Sequence, residues 1–267
     1  MTMSMKSLGI GKSRAIGRTL LGAAMALMIG GSAAQAAVGI TPPSQDWSFN
    51  GVFGKFDKAS AQRGLQVYTE VCASCHSLNL MYYRNITALG YTEDQAKAFA
   101  AQFEVTDGPN DDGDYFTRPA RPSDRFAAPF ENEKAAAASN GGKAPPDLSL
   151  MVKARMNGAD YVYALLTGYK DVPPAGSNIP EGAHYNEYFP GHQIAMAPPL
   201  SDGLVEYSDG TSASLEQAAK DVTMFLAWTA EPEMEDRKGM GVKVFLFLLV
   251  FLGLAIANKK RLWAKLH

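Results

Sequence analysis

The stretch Cys72-Ala73-Ser74-Cys75-His76 decides how this 267-residue chain is read. Two thiols separated by two residues, with an imidazole directly after, form the C-x-x-C-H pattern of covalent c-type haem attachment. The spacing follows from the chemistry. Thiols one helical turn apart can form thioethers to the two vinyl groups on one porphyrin edge, and the next residue, His76, then falls under the ring centre to ligate iron. A dithiol redox pair would call for a strand-to-helix setting, and a structural zinc site for four ligands. The chain has no other cysteine, and its remaining histidines are His184, His192 and His267. One motif implies one covalently bound haem c, with Cys72, Cys75 and His76 holding it. With both cysteines in that motif, no disulfide framework can brace the fold.

A second axial ligand is less constrained by pattern. The candidates are Met81, Met151, Met156, Met196, Met224, Met234, His184 and His192. Met151, Met156 and Met224 sit in apolar, helix-like stretches and read as core filler. Met196 lies in a proline-bounded loop, Tyr188 to Pro199, which can present a thioether to iron without a helix behind it. Met196 is the leading choice on this argument, and His192 in the same loop stays open.

Outward from the motif, the charge is unevenly spread. Residues 1–36 carry four basic residues and no acid, residues 239–267 five basic residues and no acid, leaving 16 basic and 27 acidic residues between them, a formal charge of −11. An acidic domain steers cationic partners and disfavours nucleic acid. The amino terminus has a basic stretch, an apolar run from Leu20 to Ile29, and Ala34-Gln35-Ala36, which reads as a cleaved signal peptide over 1–36. Val244 to Ala257 is uninterruptedly apolar, and 239–258 reads as a membrane anchor helix with Lys243 snorkelling. Lys259, Lys260 and Arg261 follow, which places the tail 259–267 in the cytoplasm and the domain 37–238 on the outer side. The expected location is a bacterial inner (cytoplasmic) membrane, single-pass, with the domain in the periplasm.

Within 37–238 the pattern predicts short helices joined by long loops. Lys58 to His76 reads as one helix, with Leu65, Tyr68, Val71, Cys72 and Cys75 recurring at three- and four-residue steps. Thr92-Glu93-Asp94-Gln95 and Ser214-Leu215-Glu216-Gln217 read as capping boxes, opening helices to about Phe103 and Trp228. Leu148 to Met156 and Tyr161 to Tyr169 read as helices separated by Asn157-Gly158. Thr106 to Asn140 reads as a long acidic surface insertion and Asp171 to Pro199 as irregular. The fold class expected is mainly α: a mono-haem, cytochrome c-like domain with long loop insertions and one C-terminal transmembrane helix.

Beyond the motif, the sequence resembles the cytochrome c1 family, the c-haem subunit of the quinol–cytochrome c oxidoreductase (cytochrome bc1) complex. Tyr83-Arg84, Tyr91-Thr92-Glu93-Asp94, Pro145-Pro146-Asp147-Leu148-Ser149, Ala154-Arg155, Asp160-Tyr161-Val162 and Leu165-Leu166-Thr167-Gly168-Tyr169 carry the likeness. So do Tyr188-Phe189-Pro190-Gly191, Met196-Ala197-Pro198-Pro199, Ala219-Lys220-Asp221-Val222 and Ala230-Glu231-Pro232-Glu233. The resemblance implies His76 and Met196 as the iron ligands, Pro146 packed near the haem, Arg155 close to a propionate, and Tyr161 in the pocket. It implies an electron carrier rather than a self-contained enzyme, taking electrons from a Rieske iron–sulfur protein, reducing a soluble c-type cytochrome, and assembling with cytochrome b. Some bacterial members carry an additional disulfide in the haem domain, which a chain with only Cys72 and Cys75 cannot form. His192 has no role in the family pattern and is expected to face solvent. The acidic run Glu104, Asp107, Asp111, Asp112, Asp114, Glu131 and Glu133 is either a docking face for a basic partner or a solvated loop. Two rival functions make distinct predictions: a haem enzyme with an open distal side would bind peroxide or carbon monoxide, and a thiol-redox protein would be colourless.

Overall fold

A computed structural model describes residues 40–264; the expected signal segment lies outside the described residues. Asp57 starts helix α1 (Lys58–Glu70) by accepting from the backbone N–H groups of Ala59 and Ser60, relieving two donors that lack an intrahelical partner. The helix ends earlier than the periodicity predicts. Val71 leaves helical geometry, and Cys72–Ser74 forms a 3₁₀ turn in which both Cys75 N and His76 N donate to the Cys72 carbonyl. The motif therefore sits on a tightened turn just past α1, not on the helix itself.

Helix α2 (Glu93–Ala100) follows from the predicted capping box: Thr92 Oγ1 accepts from Gln95 N, and Gln95 Oε1 accepts from Thr92 N. The stretch read as a long acidic surface insertion, with the two residues before it, contains an antiparallel pair, β1 (Glu104–Asp107) with β2 (Phe116–Pro119), and a short helix α3 (Glu133–Ser139) capped by Asn132. Arg118 on β2 bonds Asp107 and Asp124. This internal pairing uses one acid, Asp107, of the run read as either a docking face or a solvated loop.

Leu148 to Met156 is not a helix, contrary to expectation. Leu148 N donates to Ser77 O, and Asp147 and Ser149 bond Ser77, Asn79 and Leu80, so the chain is held to that distant loop and proceeds by successive turns such as Met151 N to Leu148 O. Met156, expected in the core, is consequently 82% exposed. Asn157 (φ 64°) and Gly158 (φ 50°), expected to end a helix, instead open α4 (Gly158–Thr167) through a left-handed entry. The following loop contains a small hairpin, β3 (His184–Tyr185) with β4 (Gln193–Ile194).

Helix α5 (Leu215–Ala230) begins with the Ser214 hydroxyl accepting from Gln217 N. Ala218, Ala219 and every residue from Asp221 to Ala230 are buried, so this helix forms the centre of the domain. It crosses α1 at a close approach. A Cβ on Gly64 would lie 2.0 Å from the Asp221 carbonyl oxygen and 2.7 Å from Phe225 Cβ, so only glycine permits this crossing. Around it pack Leu65, Tyr68, Phe225 and Trp228, with Tyr83, Phe99, Phe103 and Phe126 forming an aromatic layer beside them. Gly64→Ala is expected to lower stability by about 1–3 kcal/mol despite alanine's better helix propensity, because two backbones must separate. A urea midpoint equal to that of the parent chain would show the crossing to be looser than described.

A break at Glu231–Glu233 joins α5 to α6 (Met234–Trp263). Glu231 is bonded by Lys153 (2.6 Å) and by Arg237 (2.9 and 3.1 Å), which clamps the junction to the turns after Asp147. The 30 residues of α6 give about 45 Å of helix, more than a bilayer's hydrocarbon thickness. Its side chains from Val244 to Leu254 are exposed on all sides, as suits lipid rather than a protein core. Lys259 Nζ lies 4.7 Å from the centre of the Trp263 ring at the far end. Among the described residues the architecture is mainly α, with one helix long and apolar enough to anchor the chain in a membrane.

Candidate functional site

Cys72, Cys75 and His76 share one 3₁₀ turn and are each half-buried, at the edge of the core formed by α1 and α5. Burial pushes the Cys72 thiol up to about 12, with the neighbouring Cys75 adding to it, so this sulfur sits in apolar surroundings. The imidazole of His76 is held from behind. Its Nδ1 donates to the Pro146 carbonyl at 2.7 Å, which leaves Nε2 as the free basic nitrogen. Burial lowers the His76 pKa against the opposing effect of that hydrogen bond, so the ring is neutral at neutral pH. The Tyr68 hydroxyl donates to the His76 carbonyl at 3.0 Å, tying the same residue back to α1.

Pro146 is held in turn by Asp147. This carboxylate accepts from Asn79 N (2.7 Å), Ser77 Oγ (2.8 Å) and Ser149 N (2.9 Å). Burial alone would raise its pKa, but these hydrogen bonds favour the anion and the net direction is downward. A carboxylate depressed in the folded state adds stability that is complete above its unfolded pKa of about 4 and disappears as pH falls through the lower folded value. Asp147→Asn should therefore be less stable at neutral pH and lose less on acidification below about pH 4, as read from urea midpoints across pH.

The other predicted residues form a second group. Arg155 is exposed, and its positive charge opposes the upward push of burial on the Tyr161 hydroxyl. Tyr161 in turn lies near enough to Tyr169 to raise it further, beyond the effect of burial. The Tyr169 hydroxyl donates to the Met196 carbonyl at 3.0 Å. Tyr169, which the sequence pattern marks only as a helix end, is thus bonded to the Met196 backbone, while Tyr161 and Arg155 act nearby through their charge alone. Among the described residues no hydrogen bond joins this group to His76 or the two cysteines.

The loop carrying half-buried Met196 is organised by Asn186, which is fully buried. Its Nδ2 donates to Leu165 O (2.7 Å), and its Oδ1 accepts from Tyr188 N (3.0 Å) and Phe189 N (3.1 Å). His192 does not stand free in solvent as expected. Its ring stacks on Tyr185 with centroids 5.4 Å apart, and its Nδ1 donates to the Asn186 carbonyl at 3.2 Å. With φ at 59°, His192 turns the hairpin, its ring engaged by Tyr185 and Asn186. Met81, Met224 and Met234 are core residues.

Two thiols and a neutral, pre-oriented imidazole on one turn form a donor set that suits a tethered metalloporphyrin. The Cytochrome C1 family model matches residues 47–266. The chain belongs to the cytochrome c1 family. It is 47% identical over 261 residues to cytochrome c1 of Rhodospirillum rubrum, covering 92% of this chain and 96% of that protein. A mitochondrial cytochrome c1 heme protein of Arabidopsis thaliana is 55% identical over 236 residues, covering 88% of this chain and 76% of the relative. A protein of Bradyrhizobium diazoefficiens named cytochrome b/c1 is 52% identical over 247 residues, covering 85% of this chain, which spans only 36% of that longer relative. As a cytochrome c1 family member, the chain is a haem-bearing, electron-carrying subunit of the bc1 complex rather than a catalyst in its own right, and among its described residues one helix suits a membrane anchor.

Proposed function

We propose that this cytochrome c1 family chain relays single electrons from a Rieske iron–sulfur protein to a soluble c-type cytochrome on the periplasmic side of a bacterial inner membrane, beside cytochrome b. Cys72 and Cys75 would hold one haem c through thioethers, with His76 and Met196 as the axial ligands. Haem c supplies a one-electron iron couple, and histidine–methionine ligation raises its potential. The observation that carries the reading is the 2.7 Å bond from His76 Nδ1 to the Pro146 carbonyl. It fixes the tautomer, aims the basic nitrogen away from the backbone, and strengthens it as a ligand.

The remaining residues orient and shield. Tyr169 steadies the Met196 backbone, Asn186 rigidifies the loop before it, and Arg155 with Tyr161 supplies a cation and a hydroxyl suited to a carboxylate such as a propionate. The orientation, with the domain outside and the tail in the cytoplasm, is supported by Lys259, Lys260 and Arg261 directly after the apolar span. The residues over 1–36 support export in the same direction.

A reduced-minus-oxidised visible spectrum of the parent chain and of Met196→Leu tests the assignment. The parent should be low-spin with a high potential and should not bind carbon monoxide. Met196→Leu should lose the high potential, by well over 100 mV on the scale that separates methionine-ligated from other axial sets, and admit carbon monoxide. An unchanged potential in the variant overturns Met196 as ligand, and a pigment extractable into acidic acetone overturns the thioethers.

A further inference from the structure

We infer that the loop Asn50–Gly54 is a second membrane contact, inserting Val52 and Phe53 at the headgroup–acyl boundary beside the anchor helix. Val52 is 64% and Phe53 83% exposed, and the two are adjacent at the tip of a loop that has no charged residue from Ser48 to Gly54. An exposed aromatic and an exposed branched aliphatic side by side leave apolar area in water without any local packing reason.

The loop is built, not slack. Asn50 N donates to Trp47 O (2.9 Å), Lys55 N to Ser48 O (3.0 Å), and Gly54 N to Gly51 O (3.4 Å). Gly51 takes φ 74°, and a Cβ on Gly54 would fall 2.0 Å from Asn50 O, so both glycines are needed for this turn. Such a tip holds its apolar side chains outward at little further cost in conformational freedom.

Its direction is set by α6. Phe56 N donates to Glu235 Oε1 (3.0 Å), whereas the carbonyls of Phe49 and Gly54 accept from Lys238 Nζ (2.6 and 3.3 Å). Moving from Phe56 to the loop base thus advances three residues along the helix, about 4.5 Å toward the apolar run. On the proposed placement the tip would continue beyond the base in the same sense, toward the residues that precede Val244. That is the depth at which aromatic side chains collect in membrane proteins. Exposed Lys55 and Lys58 flank the loop and suit anionic headgroups, as at the polar edge of an interfacial segment. Lys238, with its charge placed under the loop carbonyls, couples the tip to the anchor as one unit.

The test uses the full chain in native membranes, with Phe53 replaced by the photoreactive benzoylphenylalanine and Val172, equally exposed at 83%, replaced likewise as the aqueous control. Illumination should give phospholipid acyl adducts at position 53, severalfold above position 172, identified by mass. Lipid adducts no more frequent at 53 than at 172 would overturn the inference. So would adducts at 53 that fall on another subunit of the complex in place of lipid, which would make the loop a protein-docking element.

Discussion

Asp221→Ala is expected to destabilise the domain by about 3–5 kcal/mol, the range for removing one partner of a buried ion pair. Asp221 is fully buried on α5, yet its two oxygens accept from Ser60 Oγ (2.6 Å), Arg63 Nε (2.9 Å), Arg63 Nη2 (3.1 Å) and Gln217 Nε2 (3.1 Å). The carboxylate is tolerated there because four donors from two helices surround it. Alanine would leave the guanidinium of Arg63, 17% exposed, with the surface residue Asp209 as its ion partner and the Tyr207 ring 5.7 Å away. The same crossing carries Gly64, so the loss would loosen α1 just ahead of Cys72. Urea unfolding of the full chain in detergent checks the figure, and a loss under about 1 kcal/mol would mean that the pair is no stronger than a surface bridge. Asp221→Ala and Gly64→Ala touch the same helix pair, so their effects should not add.

Asn186→Ala should cost about 3 kcal/mol and should be felt most in the Met196 loop. Three hydrogen bonds are lost, and each group left unpaired away from water carries about 1–3 kcal/mol, less where Leu165, Tyr188 and Phe189 can reach solvent. The loop would keep its backbone bond from Asn186 N to His192 O (3.1 Å) but lose the wedge that fixes residues 188 and 189. The optical signature expected of methionine ligation should then disappear at a lower urea concentration than the unfolding of α1 and α5, as followed by circular dichroism. In the parent chain the two transitions should coincide. Coincident transitions in the variant as well would show that the loop is held by something other than Asn186.

The parts legible in the sequence are those written in local chemistry. Cys72, Cys75 and His76 carry a spacing that few chemistries require, Thr92 and Ser214 announce helix starts by their hydroxyls, and Val244 to Ala257 has no polar residue to place elsewhere. The collinear likeness to cytochrome c1 implies a pairing of Met196 with that turn, which stays part of the proposal. What stayed hidden depends on partners distant in the chain. Gly64 reads as a mild helix defect until Asp221 is seen packed against it. Tyr169 reads as the last residue of a helix, whereas its hydroxyl serves Met196, 27 residues on. Leu148 to Met156 has a helical spacing of apolar residues, and Asp147 even makes a cap-like bond to Ser149 N, but its carboxylate and the Leu148 N–H and Ser149 hydroxyl are also committed to Ser77, Asn79 and Leu80, and that tertiary demand prevails. The β1–β2 pair escaped notice because its strands alternate only weakly, with no residue fully buried on either face.

The junction at Glu231 has a mechanical meaning. The helix at the heart of the domain passes into the one that crosses the bilayer after three residues, and Lys153 and Arg237 grip the carboxylate in between. A mast results, with no slack tether at its foot. With the haem on the turn past α1, as proposed, so short a joint would limit that turn's range above the lipid and leave most of the travelling needed for electron exchange to the proteins that visit it.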